Sequence, residues 1–173
     1  MNSQLREIKK SRLLKDESFI YMICSDDRKN ITLPAFNFPI FYDIDFGGFS
    51  EGYDNYQCEV LSLSIGTGFF QTTNYYYFTC DNLTENGYFC KNKLNRKTAI
   101  LTVVPCSTLQ DIQRVNESSI ISFIVNNCRS PKRVTFSFLR QDFTPGVVGT
   151  DINRDGIETK WVLTLKMTPI VDY

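Results

Sequence analysis

Two carboxylates two residues apart, Asp43 and Asp45 in FYDIDF, are the first side chains of this 173-residue chain that could do chemistry. On a strand, positions i and i+2 share a face. A glycoside hydrolase needs two carboxyl groups about 5 to 9.5 Å apart. This pair meets only the lower bound, and such pairs are common on solvated strand faces. Histidine is absent altogether. Its absence removes the commonest general base, the Ser-His and Cys-His nucleophile pairs, and the commonest metal ligand. The sequence therefore predicts a protein without enzymatic activity and without a cofactor.

A second candidate is DINRDG, residues 151–156. Asp151, Asn153, Asp155 and Gly156 match the first half of an EF-hand loop, which needs oxygen ligands at positions 1, 3 and 5, glycine at 6 and a carboxylate at 12. Position 12 here is Val162 and no helical pattern flanks the segment, so a tight turn in which Asp-Gly supplies the φ > 0 residue is the better expectation. The six cysteines are Cys24, Cys58, Cys80, Cys90, Cys106 and Cys128. None has zinc-site spacing, and several lie in strand-like runs where a thiol acts as a small hydrophobe. We expect them reduced and buried, in a protein made in a cytosol. No metal site is expected. The sequons at Asn30, Asn82 and Asn116 point instead toward secretion, but no leader-like segment opens the chain.

Tyrosines offer a different chemistry. Aromatic residues make up 14% of the chain and crowd into 36–89, including the run Tyr75-Tyr76-Tyr77-Phe78. Alternation sends Tyr76 and Phe78 to one side of a strand and Tyr75 and Tyr77 to the other. One side is the core. The other presents tyrosine rings as a subunit interface, as a sugar-stacking platform, or beneath another layer of the same chain. The interface is the preferred expectation, with Tyr75 and Tyr77 as its residues.

Behind these residues stands a β architecture. Alternating apolar runs at 19–24, 39–45, 58–66, 69–80, 97–104, 119–125, 133–139 and 161–168 predict about eight strands separated by turn-rich spacers. In CEVLSLSIG, Glu59, Leu61, Leu63 and Ile65 share one side while Val60 breaks the phase, which suggests a bulge or burial on both faces. The pattern predicts an all-β, antiparallel sandwich, best fitted by an eight-stranded jelly roll, over residues 17–173. Residues 1–16 differ, with Arg6, Lys9, Lys10, Arg12 and Lys15 set against Glu7 and Asp16. They predict a flexible or helical arm that docks on protein. The net charge of zero argues against a nucleic-acid grip. No apolar run reaches the length of a membrane helix.

The C-terminal segment resembles the closing hairpin of small single jelly-roll capsid proteins, the penton and minor capsid proteins of double-stranded DNA viruses such as virophages and algal giant viruses. Val134, Phe136, Phe138 and Arg140 match the first strand of that hairpin, Asp151 to Gly156 its polar turn, and Trp161, Leu163 and Leu165 its Trp-initiated last strand. FNFPIFYDIDF is similar to the proline-aromatic segment that opens such domains. The resemblance implies a structural, non-catalytic subunit, made in host cytoplasm and built into a virion. Its partners would be other capsid subunits or copies of itself, with no direct nucleic-acid contact and no small-molecule substrate. A secreted or surface β-sandwich module that binds carbohydrate or protein is the competing expectation.

Overall fold

The computed structural model describes residues 11–28, 41–48, 52–65, 75–81, 89–91, 97–105, 113–114, 122–144 and 160–172. They form eleven strands and no α-helix: β1 (Ser11–Leu13), β2 (Phe19–Cys24), β3 (Phe41–Phe46), β4 (Asn55–Ile65), β5 (Tyr75–Asp81), β6 (Phe89–Lys91), β7 (Lys97–Pro105), β8 (Gln113–Arg114), β9 (Ser122–Val125), β10 (Lys132–Leu139) and β11 (Trp161–Asp172). Two antiparallel sheets face each other. In the first, β11 and β4 lie at the centre, with β1 and β2 along the free side of β11 and β8 and β9 along that of β4. The second runs β3-β10-β5-β7-β6. The chain is an all-β sandwich.

Period-two alternation decides which side chains enter the space between the sheets. Trp161, Leu163, Leu165 and Met167 are buried, while Val162, Thr164 and Lys166 are partly exposed. Tyr76, Phe78 and Cys80 on β5 and Val134, Phe136 and Phe138 on β10 fill the core from the other side. Trp161 joins the layers. Its ring meets Tyr42 edge-on at 5.3 Å, Phe78 at 4.9 Å and Phe136 at 5.1 Å. Each such aromatic pair adds about 0.5–1.5 kcal/mol to the area it buries.

Every one of the eight expected runs contains a strand. Three further strands escaped the sequence pattern, because β1, β6 and β8 are only 3, 3 and 2 residues long. The expected arm over 1–16 differs in its last part. Ser11–Leu13 pairs with Ile170–Asp172, so these three residues belong to the sheet. Residues 1–10 lie outside the described residues.

β1 and β2 are two halves of one interrupted edge strand. Both run antiparallel to β11, and the Lys15–Glu17 3-10 turn loops out between them. Pro169 explains the break. Its carbonyl accepts from the Leu14 N–H at 3.0 Å, and in an antiparallel ladder a residue's nitrogen points the same way as its oxygen. That nitrogen carries no hydrogen, so pairing fails beside it and the chain leaves the ladder.

The bulge suggested by Val60 is present. Thr164 pairs with Ser62 and Leu165 with Val60, leaving Leu61 as the extra residue. This corrects the expected face of Glu59. The bulge inverts the phase, so Tyr56 and Cys58 join Leu63 and Ile65 inside, and Glu59 turns outward to Lys166 at 3.8 Å. At the end of β3, Gly48 lies so close to the sheet-crossing segment that a Cβ there would stand 2.4 Å from the Arg129 carbonyl oxygen. Only glycine fits that approach. Among the described residues no helix is long and apolar enough to cross a membrane.

Candidate functional site

The outer face of the second sheet carries the tyrosines singled out by the sequence. Tyr76 and Phe78 are fully buried, which leaves Tyr75 and Tyr77 facing outward, half-buried. Their rings meet edge-on at 5.3 Å and their hydroxyls are 3.3 Å apart. Register sets Leu139 and Val103 on either side of Tyr77. Leu139 is buried, whereas Val103 is 42% exposed.

Phe143 lies flat against Tyr77, with centroids 4.9 Å apart and planes 7° from parallel. The turn after β10 delivers it there. Phe143 N–H donates to Arg140 C=O and Arg140 N–H to Thr144 C=O, both at 2.8 Å. This is a three-residue reversal whose last loop position needs a left-handed backbone. Phe143 adopts it with φ 61°. The Asp142 carboxylate fastens the turn by accepting from the Thr144 N–H at 3.0 Å. A strained aromatic residue is thus spent on ordering Tyr77.

The next row inward is dry. Thr79 and Ser137 point away from the core yet are 0% and 3% exposed. They satisfy each other: the Thr79 hydroxyl donates to the Ser137 carbonyl at 3.1 Å and lies 2.9 Å from its hydroxyl. The centre of this face is therefore closed within the single chain. Its open apolar part is the margin formed by Tyr75, Tyr77, Phe143 and Val103.

Asp43 and Asp45 share the outward side of β3, as their spacing required. Asp43 forms an ion pair with Arg133 and accepts a hydrogen bond from the Thr135 hydroxyl. Asp45 is exposed. Arg133 and Thr135 thereby hold Asp43 on a surface strand. Among the described residues no group of three or more acidic or cysteine side chains is placed to hold a metal ion.

Of the expected interface residues, Arg12 is exposed on β1 in the other sheet, so the fold does not bring it to the tyrosines. Arg6, Lys9 and Lys10 lie outside the described residues, as do the 151–156 turn, the three sequons and Cys106. Cys58, Cys80 and Cys128 are buried, Cys24 is partly exposed, and none of these four is in a disulfide. The Cys58 thiol lies 3.1 Å from the Met167 sulfur. Burial raises the Cys58 and Cys80 thiols well above their ordinary range, and it pushes Cys128 up to about 11.

Sequence reasoning missed Phe143 and Val103. For Val103 the signal was there, since AILTVV alternates once a bulge is allowed between Ile100 and Thr102. Nothing near Phe143 announced its position. The chain matches no family model, no curated protein and no solved structure.

Proposed function

We propose that the chain is a non-catalytic building block of a protein shell, a capsid subunit of the penton or minor-capsid kind, and that the Tyr75–Tyr77–Val103 margin is one of its contacts with neighbouring subunits. The observation that carries this reading is the open apolar margin itself: two half-buried tyrosines beside a 42% exposed valine, on the outside of a complete sandwich. Aromatic residues are enriched where subunits meet. Tyr77 is already held by Phe143, so docking against it would cost less side-chain entropy than docking against a mobile ring.

Strand order supports the jelly-roll reading. Leaving aside the short β1, β6 and β8, the order is β2-β11-β4-β9 in one sheet and β3-β10-β5-β7 in the other. Successive strands cross between the sheets except at β5 and β7, which is how two interlocked Greek keys are wound. A sandwich of this kind offers both outer faces and its loop ends to neighbours. Its partners on this reading are other shell subunits or copies of itself, in a virion.

Electron microscopy and sedimentation of the full chain test the reading. The wild-type protein should form assemblies larger than a dimer. Val103→Lys should suppress them while leaving the far-ultraviolet circular dichroism unchanged, because Val103 is outside the core. A chain that stays unassembled, and whose tyrosine fluorescence responds to glycan titration, would overturn the proposal in favour of a carbohydrate-recognition module.

A further inference from the structure

We infer that β2 pairs with β2 of a second copy of this chain across a two-fold axis, joining two first sheets into one continuous sheet. The starting point is backbone direction. Leu14 donates to Pro169, so the odd-numbered residues of β11 turn their N–H and C=O groups toward β1 and β2. Their register partners Phe19, Tyr21 and Ile23 bond inward to β11. Ile20, Met22 and Cys24 consequently aim their backbone groups at the outer edge. The Cys24 N–H is taken by the Asp27 carboxylate at 3.0 Å. Ile20 and Met22 have no such partner among the described residues.

Their side chains are as open as their backbones. Ile20 is 55% and Met22 59% exposed, while Phe19, Tyr21 and Ile23 lean into the core. The strand, FIYMIC, contains no charge, no proline and no bulge. Sheet proteins normally blunt a free edge with one of those devices, because a bare edge is a template for another strand. Among the described residues the other edge strands are charged or shorter than β2. β3 carries Asp43 and Asp45, β1 is 3 residues long and carries Arg12, and β6, β8 and β9 are only 3, 2 and 4 residues long. β2 stands apart.

The occupant follows from self-complementarity. With the axis through Tyr21, Ile20 of one copy stands opposite Met22 of the other, and the reverse holds one step along. Each N–H and C=O left open on Ile20 then meets one left open on Met22. The same register sets each exposed Ile20 side chain directly across from an exposed Met22, an apolar cross-strand pair. The window admits no other alignment of equal quality. Asp27 closes it at one end and the Lys15–Glu17 turn closes it at the other. β2 and the tyrosine margin lie on different sheets, so this inference stands without the shell reading.

Sedimentation equilibrium over a concentration series, together with amide hydrogen exchange at residues 20 and 22, tests it on the full chain. A reversible dimer is expected, with both amides protected only at concentrations where the dimer forms. The double substitution Ile20→Lys, Met22→Lys should raise the dissociation constant at least about tenfold, with circular dichroism unchanged. The inference is overturned by a wild-type chain monomeric at every soluble concentration, or by a dimer indifferent to the double substitution. Concentration-independent protection would also overturn it, since a segment of the same chain or a tightly held different protein would then occupy the edge. If Val103→Lys abolishes the dimer and the lysine pair does not, the edge pairing fails while the tyrosine margin survives. The reverse result separates them the other way.

Discussion

Phe143 holds a backbone conformation, φ 61°, that bulky side chains rarely take. The left-handed region costs a non-glycine residue about 1–2 kcal/mol, and the stack on Tyr77 offsets it. Two substitutions separate the terms. Phe143→Ala keeps the strain and loses the stack, so it should destabilise by about 1 kcal/mol or more and release Tyr77. Phe143→Gly loses the stack but also the strain, and should lie closer to wild type in urea denaturation. If alanine proves the milder change, the strain is not where the structure puts it. At this scale legibility was uneven. Trp161, Tyr76 and Phe78 were readable as core because alternation ties each to a face. Phe143 was not, because a turn position of this kind ordinarily declares itself through Gly or Asn.

At the scale of elements, Gly47 and Gly48 make a paired test. A Cβ at Gly47 would meet nothing within 4 Å, whereas one at Gly48 would lie 2.4 Å from the Arg129 carbonyl oxygen. Gly48→Ala should therefore cost about 1–3 kcal/mol, as overpacking against backbone does. Gly47→Ala should leave the thermal midpoint nearly unchanged. Sequence alone has no means of telling the two adjacent glycines apart. The Val60 bulge was legible from the broken phase of CEVLSLSIG. The outward turn of Glu59 was not, since which flank of a bulge inverts depends on where β11 resumes its pairing. β1 and β2 show the same division. FIYMIC reads as a strand from its own residues, but its place on an edge is set by β11, more than a hundred residues later.

For the whole molecule, the buried thiols fix a direction of pH dependence. Desolvation pushes the Cys128 thiol up to about 11, with Lys132 drawing it back and Asp54 adding to it. Burial raises Cys58 and Cys80 as well. In the unfolded chain a thiol ionises near about 8.5. Above that pH the unfolded state has released protons that the folded state keeps, so unfolding is favoured as pH rises. The stabilisation is complete below the unfolded value and is lost as pH climbs through the folded one, with a slope on the order of 1 kcal/mol per pH unit for each thiol. The urea midpoint should be lower at pH 10 than at pH 8. Alkylation mapped by mass spectrometry at pH 8 should label Cys24 well before Cys58, Cys80 and Cys128, which are buried. Early labelling of Cys58 would contradict the packing of the core.

What the sequence determined by itself is the class of the molecule and the facing of its residues. Period-two alternation commits each side chain to one side of a strand before any neighbour is known, and the missing histidine limits the chemistry whatever the fold. Tertiary structure alone decided which outward residues stay open. Thr79 and Tyr77 look alike along the chain, both turned away from the core, yet one is closed over and the other is not. Exposure of that kind depends on what long-range pairing brings alongside a strand: Phe143 over Tyr77, and nothing among the described residues against the edge of Ile20 and Met22. Local periodicity carries no record of either.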